Sequence, residues 1–413
     1  MGDVYIAGVG MTPFGRFPDK SVKSLTREVL DDVLADAGLA RKDVQAAYFA
    51  NTTQGHMEGQ EFIRGPIALR SAGLEGIAVT SVENACASGA TAFNLAVQFV
   101  KAGEGDVALA LGAEKMYSTD KARMFSLFDS GWDIHDVEAQ KAQLLALGSG
   151  LVPPPDTTSP KPYSVFMDIY AAFCRFHMLR FGLTQRQIAA VAAKNHAHSV
   201  DNPRAQFRTA FSTEEVLAAP PITYPLTLPM CAPISDGAAA AIVCSASALG
   251  RLGIDRGRAI RVRASVLRSG TNRSSDAVED HLTAIAARQA YEKAGLGPAD
   301  VSVAEVHDAT AMGEIIQCEN LGLCRMGEGG EVAQRGDTSI GGRIPINPSG
   351  GLESKGHPIG ATGLGQIHEL VTQLRGEAGK RQIAKARIAI QENGGGLYGI
   401  EEAVVGVNIL AKQ

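Results

Sequence analysis

Cys86 is the residue whose surroundings point most directly to chemistry. It follows a β-type run at 77–82 and precedes a helical pattern that ends at Gly103. A thiol at such a strand-to-helix turn faces free backbone N–H groups and the positive end of the helix dipole, which lower its pKa and favour the nucleophilic thiolate. The small residues at 85–90 would let a substrate carbonyl approach the backbone. The alternative is a buried structural cysteine, the commoner role of a single cysteine.

An internal repeat bears on this choice. The pattern Ala-Gly-Leu followed by Asp-Val occurs at 37–44 and again at 294–301, each time between a helix pattern and a strand pattern. Further along, the run CASGAT that begins at Cys86 has a counterpart, HPIGAT, that begins at His357. Two related halves that pack about a pseudo-twofold axis would bring these equivalent turns face to face across one site. The repeat therefore favours a reactive Cys86.

Composition narrows the classes of function. The chain has 413 residues, of which 45% are hydrophobic and 20% charged, and its formal net charge is -5. These values are typical of a soluble protein with a large core and two or three domains, and they predict no nucleic-acid or membrane partner. The six cysteines form no CxxC pair, so we expect reduced thiols, no metal site and a cytoplasmic location. Cys318 and Cys324 could form a metal pair, but core packing is the favoured explanation.

The order of strand and helix patterns predicts the domain organisation. These patterns alternate over the first 117 residues, which indicates an α/β fold with a largely parallel sheet. From 118 to 233 the chain has proline-rich turns and an aromatic-rich run at 163–181, which predicts an inserted, mostly helical lobe, and a strand returns at 238–244. We therefore expect an N-terminal domain at 1–117 and 234–262, an inserted domain at 118–233 and a C-terminal domain at 263–413.

Taken together, several runs resemble the thiolase superfamily, and within it the branch typified by the thiolase domain of sterol carrier protein X. They keep the family's order along the chain and are 84–89 (NACASG), 194–207, 235–240 (SDGAAA), 306–308 (VHD), 347–351 (NPSGG) and 354–363 (SKGHPIGATG). The resemblance implies an α/β thiolase fold, in which two pseudo-twofold-related domains form five layers, α/β/α/β/α, and the first domain carries an inserted loop domain.

The resemblance also implies an enzyme that acts on acyl-CoA, with coenzyme A as co-substrate and no permanently bound cofactor. The activity would be that of a 3-oxoacyl-CoA thiolase or acetyl-CoA C-acyltransferase with a homodimeric core, acting on a linear, branched, sterol or aryl-substituted acyl chain. Some relatives resemble partners of a small zinc-ribbon/OB-fold subunit, which is a further expectation here. Two other functions stay open, namely retro-aldol cleavage and non-catalytic binding of acyl-CoA. The presence of Cys86 argues against the first, and Cys86 with His307 and His357 argues against the second.

By resemblance, four residues take part directly in acyl transfer. Cys86 would accept the acyl group, and His357 would activate it and hold a thioester oxygen, the alternative being a structural histidine that caps a turn. His307 would polarise the thioester oxygen directly or through water, unless its ring is hydrogen-bonded to Asp308 at a strand end. The backbone N–H of Gly394 would form an oxyanion hole with that of Cys86, unless the glycines there are an ordinary turn.

The acid/base residue departs from the family pattern. Common thiolases carry a second cysteine two residues before the first glycine of the C-terminal glycine-rich turn, and this chain has Glu392 there. The sterol-carrier branch carries that cysteine after His-Asp, where this chain has Ala309. Glu392 is therefore the expected acid/base, with a pKa raised by burial. The alternative is a structural carboxylate, with His307, His56 or water moving the proton.

Coenzyme A is expected to lie against the inserted domain. Lys194, Arg204 and Arg208 are candidates for contacting its phosphates, although a charge cluster on a helix is more often a solvated face. The aromatic residues at 163–181 and 125–132 would line an acyl tunnel or belong to the core. His56 is expected to be a solvated loop residue.

Overall fold

Two halves of similar construction, separated by an insertion, form the computed structural model, which describes residues 2–413. The elements before the insertion are β1 (Val4–Met11), α1 (Val22–Ala37), β2 (Ala46–Ala50), α2 (Gln54–Glu58), α3 (Arg64–Ser71), β3 (Ala78–Val82), α4 (Ser88–Ala102) and β4 (Val107–Glu114). The insertion contains α5 (Lys121–Ser126), α6 (Val137–Ala146), α7 (Phe166–Phe181), α8 (Gln185–Ser199), α9 (Thr213–Ala218), β5 (Pro221–Thr223) and β6 (Leu226–Thr227). The first half then ends with β7 (Gly237–Ser245) and α10 (Ala246–Arg251). The second half contains β8 (Ile260–Ser269), α11 (Leu282–Ala294), β9 (Val303–Glu305), α12 (Ala311–Asn320), α13 (Gly329–Gln334), α14 (Gly351–Lys355), α15 (Thr362–Arg375), β10 (Ile388–Gly395) and β11 (Val404–Ala411).

The main strands form a nine-stranded sheet in the order β3-β2-β4-β7-β1-β8-β11-β10-β9. β2 pairs in parallel with β3 and β4, and β7 lies antiparallel between β4 and β1. The strands of the first 117 residues therefore run in one direction, as the sequence predicted, and the returning strand β7 runs against them. In the second half β8, β11, β10 and β9 repeat the order and directions of β1, β7, β4 and β2. β1 and β8 join the halves through the residue pairs Tyr5–Arg261 and Ile6–Ile260.

Five layers result, as the resemblance implied. α4 and α15 lie in the middle, where Phe93 and Leu370 belong to one buried cluster with side chains of β1, β10 and β11. Outside the first half α1 and α3 cover β2, β4 and β7, and outside the second half α11 covers β8 and β11. Each half of the sheet is therefore buried on both faces, which explains the nearly continuous apolar runs of its central strands.

Equivalent helices of the two halves end in the same way. The N-cap of α1 is Ser21, whose side chain accepts a hydrogen bond from Ser24 N–H, and its C-cap is Gly38 (φ 67°). α11 ends at Gly295, which has φ 63°. Glycine adopts this left-handed conformation readily, so the repeated Ala-Gly-Leu sequence is a repeated helix stop. Among residues 2–413, no helix has the length and apolar character needed to cross a membrane.

The insertion is mostly helical and packs on the second half of the molecule. Ile188 and Val191 of α8 share a buried cluster with Met312 and Ile315 of α12. This packing places α7 and α8 beside the residues that follow β9. The predicted boundary between 262 and 263 falls inside β8 (Ile260–Ser269), and the division into domains otherwise stays a prediction.

Candidate active site

The turn between β3 and α4 holds Cys86 in a defined orientation. Ala85, the preceding residue, has left-handed backbone (φ 47°), a conformation that costs a non-glycine residue on the order of 1 kcal/mol. Ser88 supports it, because its Oγ accepts a hydrogen bond from Asn84 N–H (2.8 Å) and donates one to Ala85 O (2.7 Å). The first residue of α4 thus braces the backbone that presents the thiol.

The end of β10 approaches this turn closely because it lacks side chains. A Cβ atom on Gly395 would stand 2.3 Å from the Ala87 nitrogen and 2.4 Å from the Asn84 oxygen. Contacts that short involve backbone atoms, which cannot rotate away as a flexible side chain does. Glycine is therefore required at 395 for the second half to close over the turn that carries Cys86.

The backbone N–H that reaches the thiol from β10 is that of Gly396. This amide lowers the pKa of the Cys86 thiol, as does the amide of Cys86 itself. The sequence pointed to the glycine turn 394–396 and assigned the role to Gly394, whereas the amide that acts on the thiol is that of Gly396. The reason is that β10 continues to Gly395, so that Gly394 pairs with Val405 within the strand instead of lying in the turn after it.

His357 is oriented by residues of its own turn. Its backbone N–H donates to Ser235 Oγ (3.0 Å), and its Nδ1 lies 2.7 Å from Thr362 Oγ1. Thr362 also donates its hydroxyl proton to Pro358 O (3.1 Å). Because a hydroxyl has a single proton, Thr362 accepts from Nδ1–H, and the lone pair of the ring is then on Nε2. This tautomer suits a base that accepts the proton of Cys86.

His307 follows β9 and is held through its main chain. Its N–H donates to Glu392 Oε2 (2.9 Å), whereas its ring Nε2 is buried and finds no hydrogen-bond partner among residues 2–413. The Asp308 carboxylate accepts instead from Leu352 N–H (2.8 Å) and Asn195 Nδ2 (3.2 Å). The structure therefore does not show the alternative in which the His307 ring is hydrogen-bonded to Asp308. A buried ring nitrogen without a partner is available to form a hydrogen bond with a substrate oxygen.

The two equivalent turns meet, as the internal repeat predicted. Cys86 Sγ and one ring nitrogen each of His307 and His357 all lie within 4.8 Å of one another. The two imidazole rings are 5.2 Å apart between centroids and inclined at 69°. A thiol, a base that can take its proton and a second imidazole that can face a carbonyl oxygen are the groups that acyl transfer needs.

Burial, and not the helix dipole, decides the charge state of the thiol. Desolvation raises the pKa of Cys86 to about 12, with smaller increments from Glu114 and Glu83, and the two amide hydrogen bonds offset only part of the rise. A helix dipole contributes at most about 2 kcal/mol, or roughly 1.5 pH units. The prediction of a lowered thiol pKa is therefore wrong, and Cys86 is a neutral thiol until a base takes its proton.

The same desolvation keeps both histidines neutral. It lowers the pKa of His307 to about 4. It also lowers the pKa of His357 well below the usual range, and the nearby His307 and Lys355 add to that effect. The resting site is therefore a thiol beside two uncharged imidazoles, so any charge must appear during the reaction.

A cavity of about 60 Å³ adjoins His307 between the insertion and the second half. One wall is aromatic and comes from α7, with Tyr170, Phe173 and Phe176. The opposite wall is more polar and includes His281 and Glu402. The aromatic run that sequence patterns left between tunnel and core therefore contributes one wall of this cavity.

Glu392 lies behind His307 and is fully buried. Oε2 accepts the His307 N–H, and Oε1 has no partner in the described chain. Burial and the nearby Glu402 raise its pKa well above the usual range, whereas the amides of His307 and Gly394 act in the opposite direction. The rise agrees with the sequence-based expectation, but the residue that lines the cavity is Glu402 and not Glu392.

Two of the three candidates for coenzyme A contact have other roles. Lys194 is buried, and its ammonium group binds the Glu314 carboxylate and Ile346 O (2.8 Å), so it is not available to a phosphate. Arg204 pairs with Asp32 (3.3 Å) in a groove beside the C-terminal end of α15, whereas His357 precedes its N-terminal end. The burial of Lys194 argues against its predicted role, whereas contact of Arg204 with coenzyme A stays a prediction.

The remaining candidates lie at the surface. Arg208 is exposed and donates from Nε to Val200 O (3.1 Å), so its other guanidinium nitrogens stay accessible to an anion. His56 is exposed on α2, and its Nε2 lies 2.9 Å from Arg123 O and 3.2 Å from Ser126 Oγ. It links α2 to α5 and does not belong to the group formed by Cys86 and the two other histidines.

Sequence reasoning missed two residues of the site, Thr362 and Glu402. Thr362 could have been found, because it closes the HPIGAT run and repeats the position of Thr91 in the first half. The choice among the glycines 394–396 required knowing where β10 ends. Glu402 had no signal of its own, because its relation to Glu392 depends on the hairpin between β10 and β11.

Comparison with known proteins places both halves in one family. Residues 4–214 match "Thiolase, N-terminal domain", and residues 267–406 match "Thiolase C-terminal domain-like". Acetyl-CoA acetyltransferase of Methanothermobacter thermautotrophicus is 38% identical over 404 residues, which are 97% of this chain and 98% of that protein. Human sterol carrier protein 2 is 38% identical over 411 residues, 97% of this chain and 71% of that protein.

A third relative and a solved structure extend the comparison. The benzoylsuccinyl-CoA thiolase subunit BbsB of Thauera aromatica is 35% identical over 398 residues, 95% of this chain and 94% of that protein. The structure "Ltp2-ChsH2(DUF35) aldolase" has a TM-score of 0.75 and 22% identity, covers 100% of this chain and 98% of its own, and shows the fold alone. The resemblance to the thiolase domain of the sterol carrier branch is confirmed, and the chain belongs to the thiolase family of acyltransferases.

Proposed function

We propose that this chain cleaves or forms a 3-oxoacyl-CoA by coenzyme A-dependent thiolysis through an acyl-enzyme on Cys86. The observation that carries the proposal is the convergence of Cys86 with His307 and His357, whose reactive atoms lie within 4.8 Å of one another. Each residue comes from a different turn, so their meeting is a property of the fold and not of local sequence.

The first half-reaction uses the neutral resting site. As Cys86 Sγ attacks C3 of the substrate, the thiol proton passes to Nε2 of His357. The N–H groups of Cys86 and Gly396 face the sulfur and are placed to stabilise the adjoining oxyanion. The C2–C3 bond then breaks, its electron pair forms an enolate whose oxygen accepts a hydrogen bond from His307, and a protonated carboxyl group delivers a proton to C2. The carboxyl groups beside His307 that can supply this proton are those of Glu392 and Glu402.

The second half-reaction restores every group. The thiol of coenzyme A attacks the acyl carbon on Cys86, and its proton goes to the carboxylate left by the first step. The sulfur of Cys86 leaves and takes back the proton held by His357. One 3-oxoacyl-CoA and one coenzyme A thus give two thioesters. The condensation direction is the exact reverse, so the structure of the site serves both.

The cavity beside His307 supports a bulky acyl group. The aromatic wall formed by Tyr170, Phe173 and Phe176 suits a branched or aryl-substituted chain better than an acetyl group. One relative is named for a benzoylsuccinyl-CoA substrate, which also favours an aryl-substituted chain. Arg208 remains our candidate for contact with a phosphate of coenzyme A.

We also propose a homodimer that can take a small partner subunit. β3 is the outer strand of the sheet, and most of its residues are exposed, so a second copy of the chain could pair there. Phe62 and Ile63 directly precede α3, and their side chains are 81% and 63% exposed. A partner subunit is suggested by the fold neighbour whose title includes a DUF35 component. Light scattering with and without such a subunit measures both assemblies.

The decisive test is the mass of the intact protein after incubation with a panel of 3-oxoacyl-CoA and acyl-CoA thioesters. The proposal expects an acyl adduct on Cys86 that disappears when coenzyme A is added. Cys86→Ala should form none, and Cys324→Ala, which changes a partly exposed cysteine outside the site, should behave as the unmodified protein does. Cleavage of a 3-hydroxyacyl-CoA without an adduct would indicate a retro-aldol lyase, and binding without turnover would indicate a non-catalytic subunit.

A further inference from the structure

Two glutamates converge where Gly394 has no side chain. A Cβ atom on Gly394 would stand 2.8 Å from Glu402 Cγ and 3.2 Å from Glu392 Oε1. The strand β10 carries Glu392, and Glu402 precedes the neighbouring strand β11. Glycine at 394 therefore leaves room for two carboxyl groups that belong to opposite sides of one hairpin.

Each carboxyl group has one oxygen engaged and one buried oxygen left over. Glu392 Oε2 accepts from His307 N–H (2.9 Å), and Glu402 Oε1 accepts from Gln317 Nε2 (2.9 Å). Glu392 Oε1 and Glu402 Oε2 have no hydrogen-bond donor within 2–413, although His281 Nε2 lies 3.3 Å from the latter. Two neighbouring carboxylates that each leave a buried oxygen without a donor would be costly, whereas one proton held between them removes one of the two charges.

Glu402 is the member of the pair that faces the substrate space. It lines the same cavity as His307, while Glu392 lies behind the His307 main chain. An acid/base group must come within hydrogen-bond reach of the proton it moves. On geometry, Glu402 meets this requirement directly and Glu392 meets it through Glu402.

We propose that Glu392 and Glu402 share one proton, and that Glu402 delivers it to C2 of the substrate in thiolysis and removes it in condensation. This inference rests on the proposed function. In thiolysis the O–H bond of the pair breaks, a C2–H bond forms, and the pair is left with two negative charges until the coenzyme A thiol returns a proton. His307 holds the enolate oxygen meanwhile, so the proton and the charge are handled on the same side of the cavity.

The surrounding charges favour retention of a single proton. Glu402 raises the pKa of Glu392, as does Asp308. Burial lowers the pKa of His281 to about 4, so that this ring is neutral near pH 7 and does not offset the two carboxyl charges. The titratable and charged groups that face the pair are His307, Asp308, Tyr170, His177, His281, Arg273, which pairs with Glu401, and Glu319, which pairs with His177.

The test measures exchange of the α-hydrogens of acetyl-CoA with deuterium oxide, together with adduct formation on Cys86. Glu402→Gln should still form the adduct but lose exchange by a factor on the order of 10²–10⁴, the usual contribution of a general acid/base. Glu392→Gln should keep exchange because Glu402 still faces the substrate space, and its pH profile should differ from that of the unmodified protein because the proton is no longer held between two carboxyl groups. Glu331→Gln, an exposed residue of α13, is the matched control and should change neither readout.

Each other outcome overturns a defined part of the argument. Full exchange in Glu402→Gln with loss of exchange in Glu392→Gln would make Glu392 the sole acid/base. It would refute the proposal that the two glutamates share one proton. Equal loss of adduct and exchange in both variants would give the two residues a structural role only. Absence of an adduct in the unmodified protein would instead refute the acyl-enzyme itself. If Glu402→Gln fails to fold, Glu402→Ala with added formate serves the same purpose, since recovery of exchange requires a missing carboxylate.

Discussion

Iodoacetamide should alkylate Cys86 slowly at neutral pH and about tenfold faster with each further pH unit up to about pH 10. Burial raises the pKa of this thiol to about 12. Only about 10⁻⁵ of it is then ionised at pH 7, and since the thiolate is the reactive form, the rate follows the ionised fraction. The direction follows from the sign of the shift, because a raised thiol pKa moves the rise in reactivity to higher pH. Acyl-CoA should protect the thiol throughout.

The assay runs the alkylation at a series of pH values from about 6 to 10, quenches it at intervals, and quantifies the modified Cys86 peptide by mass spectrometry. Following the peptide separates Cys86 from the other cysteines, and Cys86→Ala supplies the background. A reference thiol such as glutathione in the same tubes corrects for the chemistry of the reagent. A plateau below pH 8 would refute the reasoning, because it would mean that Cys86 and His357 already form a thiolate–imidazolium pair in the resting enzyme.

Three further predictions test the framework around the thiol. Thr362→Val should slow adduct formation on the order of tenfold or more in single-turnover experiments, because the imidazole loses the acceptor that sets its tautomer, whereas Thr362→Ser should retain the rate. Gly395→Ala should lower the free energy of unfolding in urea by about 1–3 kcal/mol through overpacking, and Gly297→Ala, at a position with no atom within 4 Å of the new Cβ, should leave it nearly unchanged. Lys194→Met should cost about 3–5 kcal/mol of stability, because Glu314 stays buried without its cation, while KM for coenzyme A stays constant in the folded enzyme.

Features that depend on neighbouring residues were predictable from the sequence. The Ala-Gly-Leu pattern at 37–44 was predicted to lie between a helix and a strand, and α1 does end at Gly38 with β2 following at Ala46–Ala50. The repeat between Cys86 and His357 predicted that two turns would meet, because equivalent positions of related halves are brought together by a pseudo-twofold axis. The chemistry at these positions followed from the residue types and their turns.

Features that depend on distant partners were not predictable. Lys194 looked like a surface cation on a helix, but burial against α12 gives it Glu314 as a partner. The sign of the Cys86 shift was missed because the sequence shows the nearby helix N-terminus and not the extent of desolvation. Glu402 was missed because its position depends on the register of the β10–β11 hairpin, in which Gly394 opposes Val405.

Burial shifts the pKa of the thiol and the pKa values of the imidazoles in opposite directions, and both shifts favour the neutral form. It raises the pKa of Cys86 and lowers those of His307 and His357, so all three are neutral before substrate binds. The surrounding dipoles would stabilise a resting ion pair in the ground state as well as in the transition state. Such uniform stabilisation does not accelerate the chemical step. Here the N–H groups of Cys86 and Gly396 and the unpaired Nε2 of His307 have no ground-state charge to bind. Their full electrostatic effect is therefore exerted on the charge that develops during carbon–carbon bond cleavage.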